Sequence, residues 1–397
     1  MTNMESNEFS LSTGGPVYKQ MHRIGLSKQG VRGIVTRVAI TAMIVWLPLL
    51  IVSAAEGFAW GNAVKMPFLK DYAAYTRFLI AIPLLILAEI IIDYRLSLVV
   101  KNLASSGLVK YEDKTAFEAT LRTLGRLRDS TIPEIVIIVI VYAMVLQGFV
   151  QELPDRVSTW RVVSANGGYH LSFAGYIYTF LSIPVFQFIM YRWVWRIIIW
   201  DWFLWRISRL KLKLNPTHPD LSGGLGILNI AQAAFFIIIF AVSAVFASVF
   251  AARIAYEGVP ISQMEGPALV FVIVSVFVFQ APLLAFSPML IIAKIQGQLE
   301  YGAFASEYTQ SFDSKWLRSR RAEGESPLGS SDIQSLADLA HSFEIVQKMH
   351  VVPIDIPTAM LLAVSAIVPM LSLIFVAKSV TNTMAVFAKL VVKLLGF

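Results

Sequence analysis

Acidic residues inside apolar runs are the first candidates for chemistry, because an ionised carboxylate in hydrocarbon costs several kcal/mol unless it is paired or hydrated. Glu89 is the clearest case. It lies twelve residues past Arg77 in an apolar run over 74–93, about 18 Å deep at ~1.5 Å per residue and so in the inner half of a ~30 Å hydrocarbon core. Asp93 follows one turn later, while Arg37, Glu134 and Arg192 begin or end neighbouring runs at the same level. A cluster of mixed sign is expected there, with Glu89, Asp93, Glu134 and Arg37 as candidates for ion permeation or proton coupling. The same residues also read as a structural ion-pair network.

Two further constellations suggest anions. Five of the nine tryptophans fall between Trp193 and Trp205, interleaved with arginines. Arg192, Arg196 and Arg206 share one helical face there, so they could grip lipid phosphates or simply snorkel beside an aromatic belt. Downstream, the string from Asn215 to Gly226 holds His218, Asp220, Gly223 and Gly224, with Lys211 and Lys213 just before it. Glycine amides at a helix start attract an anion such as a lipid phosphate. Alternatively, Asp220 or Ser222 caps that helix in a rigid turn. A His218/Asp220 pair is a poor metal set. The five histidines form no His-x-x-x-His pair, no Gly-x-Ser-x-Gly elbow occurs, and no cysteine is present, so no cofactor or catalytic residue is expected.

These residues must be carried by membrane helices. The 397 residues are 56% hydrophobic and only 15% charged, with mean hydropathy +0.66, well below the roughly 25% charge of soluble chains. That excludes a soluble enzyme. The net charge of +7 fits lysine and arginine facing anionic lipid, and nucleic-acid binding is not indicated. Apolar windows near 38–56, 74–93, 133–151, 172–194, 224–252, 267–293 and 356–377 predict an all-α bundle of about seven transmembrane spans. With alternating sides, 24 of the 33 lysines and arginines fall on the side of the N-terminus and 9 on the other, which predicts a cytoplasmic N-terminus.

The expected organisation is a cytoplasmic arm over 1–33, a six-span domain over 34–293 with a cytoplasmic helix at 109–128, and a cytoplasmic helical segment over 294–355. That segment contains a linker at 324–331 and a helix opened by a Ser331/Gln334 capping box. Residues 356–397 supply the last span and an amphipathic C-terminal helix, whose lysines suit either the outer surface or a pore between subunits. Pro48, Pro83, Pro184, Pro282 and Pro369 fall inside spans and are expected to break them, as transporters and channels do at their binding sites. Gln147, Gln187, Gln232 and Gln280 could line a path or make interhelical hydrogen bonds.

The loop His218-Pro219-Asp220-x-x-Gly223-Gly224-Leu225-Gly226 after an aromatic, basic helix resembles one in an uncharacterised family of bacterial multi-pass inner-membrane proteins. The segment 343–373, with Val352-Pro353-Ile354-Asp355 leading into a proline-containing span, resembles the same family. The resemblance implies a bacterial inner-membrane location and brings no activity. The expected function is a channel or transporter for ions or small solutes, a homo-oligomer in contact with anionic lipid. A scaffold or sensor for a cytoplasmic partner is the alternative, and a lipid-acting enzyme the third.

Overall fold

A computed structural model describes residues 9–23, 31–151, 159–165, 168–257, 259–318 and 329–373. The chain is all-α, apart from a short antiparallel hairpin of β1 (Val162–Ala165) and β2 (Gly168–Leu171) in register Val162 to Leu171. Six helical runs among the described residues are long and apolar enough to cross a membrane: Arg32–Ala55, Tyr72–Ser105, Thr131–Gly148, Phe173–Ile207, Leu225–Glu257 and Ile261–Arg318. The chain is therefore a multi-pass membrane protein. The expected seventh span starts where predicted, with a helix over Ile356–Met370 and helical residues 372–373 at the edge of the described part. Residues 374–377 of that span, and the amphipathic helix after it, lie outside the described residues.

In chain order the helices are α1 (Gly15–Arg23), α2 (Val31–Val45), α3 (Leu47–Ala55), α4 (Tyr72–Tyr75), α5 (Ile82–Ser105), α6 (Lys114–Asp129), α7 (Thr131–Gln151), α8 (Phe173–Ile177) and α9 (Ile183–Ile207). They continue as α10 (Leu228–Ala234), α11 (Phe236–Ala252), α12 (Glu265–Gln280), α13 (Ser287–Asp313), α14 (Ser331–Lys348) and α15 (Ile356–Met370). The run of α10 and α11 is the most buried of the six and packs against α5 and α15. By contrast α7 packs on α9 and exposes Ile132, Ile135, Val139 and Leu146, an apolar face suited to lipid.

Proline explains how the second and fourth spans begin. In each, a capped first turn (α4, α8) widens into a π-helical stretch, Thr76–Ala81 or Tyr178–Ser182, and the long helix then starts with Pro83 or Pro184 in its first turn. The widened turn makes room for the ring and absorbs the missing donor. The caps are specific. Asp71 accepts from the Ala74 amide and from Trp160 Nε1, both at 3.0 Å, while Ser172 accepts from Gly175 and the Glu56 carboxylate from Phe173 and Ala174. Phe68, Trp160 and Tyr178 pack edge to face beneath these caps.

The expected helix at 109–128 is α6, which buries Phe117 and Leu124 against α9. The helix expected from Ser331 is α14, packed along α13. Its cap is Ser330 rather than Ser331: Ser330 Oγ accepts from the Ile333 amide, and Gln334 turns along the helix to Asp338 instead of closing a capping box. Most of the expected linker, 324–328, lies outside the described residues.

Candidate functional site

The expected charge cluster is present, and it is closed. Glu89 on α5 receives Arg37 of α2 at 2.6 Å and Arg196 of α9 at 3.0 Å, and Arg196 keeps only 6% of its side chain exposed. Arg192, one turn before Arg196, lies 3.7 Å from Glu134 of α7. Three helices are thus pinned around one carboxylate, since an unpaired charge at this depth would cost several kcal/mol. Arg196 is the correction to the lipid-phosphate expectation. Helical spacing placed it on a face with Arg192 and Arg206, but the first two turn inward to carboxylates, and only Arg206 stays exposed at the helix end.

Asp93 is held by a partner that its sequence neighbourhood did not indicate. The N-terminal residues Ser10 to Gly15 fold over the cluster. Ser10 Oγ, Ser12 Oγ and the Leu11 and Ser12 amides donate to Asp93, the amides at 2.8 and 2.9 Å to Oδ1. The Ser10 carbonyl accepts from Arg128 at 2.6 Å and the Ser12 carbonyl from Arg196 at 3.3 Å. Leu11 is fully buried. Over these residues the expected arm packs on the bundle. Short polar side chains ahead of Gly14 and Gly15 were the available signal, and they carry no partner information. Between this segment and Arg128, Glu134, Arg192 and Trp195 remains a cavity of about 20 Å³, room for a water molecule.

The loop before α10 also supplies its own anion. Asp220 accepts from the amides of Ser222 at 2.9 Å, Gly224 at 3.1 Å and Gly226 at 2.8 Å, and His218 Nδ1 lies 2.7 Å from it. Burial raises the affinity of this carboxyl for a proton, but those three amides and His218 outweigh it and hold its pKa below the ordinary aspartate value. The expected anion position at Gly223 and Gly224 therefore gives way to an internal cap. Glycine is required there: both residues have positive φ, 65° and 98°, and a Cβ on Gly224 would meet Leu108 at 3.0 Å. Lys211 and Lys213 have exposed side chains, and their amides bond to Asp113 and to the Leu108 carbonyl. The His350 amide donates to the Leu221 carbonyl, which ties α14 to the loop.

The glutamines behave differently. Gln232 on α10 is 1% exposed and Gln280 at the end of α12 is 5% exposed. In both, Nε2 and Oε1 lack any hydrogen-bond partner among the described residues, as do Gln187 Oε1 on α9 and Ser287 Oγ at the start of α13. Gln147 is exposed on α7. Both buried amides stand at helix breaks. After Gln232 the chain tightens at Phe235, whose amide bonds back to the Gln232 carbonyl and whose own carbonyl takes the amides of Ile238 and Ile239. After Gln280 a 3₁₀ stretch, Ala281–Phe286, carries Pro282 before α13 resumes. The rings of Phe235 and Phe279 stack at 4.8 Å, so the two breaks adjoin, and α9 packs on the 3₁₀ stretch. Buried polar groups in native proteins are almost always satisfied, and an orphan calls for an explanation such as strain, bound water or an ion, or a functional role.

Among the described residues no group of three histidines, aspartates or glutamates is arranged to hold a metal. In comparisons with protein families, curated proteins and solved structures, the chain matches none.

Proposed function

We propose that this chain is a channel or transporter for ions or small solutes, in a bacterial inner membrane with its N-terminus in the cytoplasm, and that it works as a homo-oligomer among anionic lipids. The observation that carries the transport reading is the pair of orphaned amides at Gln232 and Gln280, at adjoining helix breaks inside the bundle. Irregular backbone at membrane depth is tolerated where protein or a water-lined path covers it, and interrupted helices build the sites of transporters. The charge cluster at Glu89 serves this reading as the clamp that holds α2, α5 and α9 on the inner side, with the segment Ser10 to Gly15 as its seal. The 24-to-9 asymmetry of lysine and arginine supports the orientation, and the loop resemblance supports the bacterial membrane.

A scaffold role has one observation in its favour: α13 and the π-helical turn after it, with α14, expose Leu299, Phe304, Leu317 and Ile333 beyond the most apolar part of the bundle. Reconstitution into liposomes decides between the two. Flux of any ion or small neutral solute above that of protein-free liposomes supports transport, and background flux across the whole panel rejects it in favour of the scaffold.

A further inference from the structure

We infer that the break between α10, α11 and α12 takes a small neutral molecule that both donates and accepts hydrogen bonds: water, or a small polyol or amide. This rests on the transport reading and narrows it to a class of substrate. The open groups of the two amides set the chemistry of the occupant. Gln232 and Gln280 each leave a donor nitrogen and an acceptor oxygen unmatched. Because both ends of each amide are open, exchanging its oxygen and nitrogen changes nothing in this inventory. A bare cation would serve only the oxygens, and a halide only the nitrogens. A molecule carrying both kinds of group serves both ends of an amide.

The walls point the same way. Phe235, Phe279, Leu283 and Phe286 are buried around the break, and an ion entering such apolar surroundings loses hydration that two neutral amides do not replace. Arg37 and Arg196 are committed elsewhere, to Glu89. One polar step leads outward. Asn229, one turn before Gln232 on α10, accepts from the Asp355 amide at 3.4 Å and donates to the Pro353 carbonyl at 3.0 Å, and Asp355 Oδ1 is itself without a partner. Polar groups therefore continue from Gln232 along α10 to the start of α15.

The test uses the full chain in liposomes, with osmotic swelling read for water, glycerol and urea, and with potassium and chloride flux read in parallel. Gln232→Met and Gln280→Met keep the unbranched shape and remove the polar ends. Swelling above protein-free liposomes, a fall of roughly tenfold in either variant, the factor of about one lost hydrogen bond, and ion flux at background are expected. Melting temperatures should stay level or rise, since the replaced groups had no protein partner to lose. Swelling for water alone assigns the site to water, and swelling for glycerol or urea to the larger solutes. Potassium or chloride flux that falls in the variants overturns the neutral class while leaving transport standing. Background flux for every solute overturns both. Neutral flux insensitive to both substitutions, or melting temperatures lowered by them, makes the glutamines structural and removes the site.

Discussion

Replacing Glu89 by glutamine isolates the role of the buried charge, since the shape is kept and the negative charge removed. Glu89 is the shared acceptor of Arg37 at 2.6 Å and Arg196 at 3.0 Å, and Arg192 stands one turn from Arg196. Without the carboxylate these guanidiniums face one another with little solvent to screen them. Breaking a buried ion pair by removing one partner costs about 3–5 kcal/mol, most of it the stranded charge. Glu89→Gln should therefore fall near the top of that range, ~5 kcal/mol, because two cations are stranded rather than one. Arg37→Met should cost less, as Arg196 still neutralises Glu89. The double variant should recover part of the loss, a non-additivity of ~1–3 kcal/mol in thermal melts of the purified protein. If Glu89→Gln melts like the parent chain while the pH dependence of flux changes, the clamp reasoning is wrong and Glu89 is a permeation or coupling residue.

Three other outcomes follow from the same geometry. Asp220→Ala removes the acceptor of three amides and should destabilise the loop before α10 by ~3 kcal/mol, at about 1 kcal/mol per bond; hydrogen exchange at Ser222, Gly224 and Gly226 reads it. Its native pKa lies below the unfolded value, so its contribution is complete above the ordinary aspartate range and disappears as pH falls through the lowered value; protection of those amides should persist at pH 5 and fail only below about 4. Asp71→Ala loses both the α4 cap and the Trp160 Nε1 bond and should cost ~2–3 kcal/mol, with a change in tryptophan fluorescence. In this cysteine-free chain, single cysteines at exposed Trp60 and His341 should react with an impermeant thiol reagent from opposite faces of the cell membrane, Trp60 from outside; labelling of His341→Cys from outside would reverse the orientation.

Much of the bundle was legible because hydrophobic runs and charge asymmetry are local signals. The second, fourth and fifth spans begin within a few residues of their apolar runs, and α6 and α14 follow their amphipathic stripes. The Glu89 cluster could be anticipated from depth alone, since every charge at one level of the membrane must find another. The choice of Arg196 over Arg206 could not, because periodicity gives a face without saying which neighbour covers it. The plug at Ser10 to Gly15 was hidden for a similar reason: its bonds to Asp93 span more than eighty residues, and nothing in a polar segment names a distant partner. At Asp220 the two readings, cap or anion site, use the same amides, and only the placed carboxylate decides. For the glutamines the sequence offered a path or interhelical bonds, and the missing partners were visible only after the helices were packed.

A cryo-electron-microscopy map of the protein in a lipid nanodisc, fine enough to show ordered water, reads the state of the Gln232 and Gln280 amides directly. Density within hydrogen-bond distance of Nε2 and Oε1 of both residues, continuing toward Asn229 and Asp355, is the predicted result. Two amides bonded to each other or to neighbouring helices, with the space beside Phe235 and Phe279 packed dry, would contradict it.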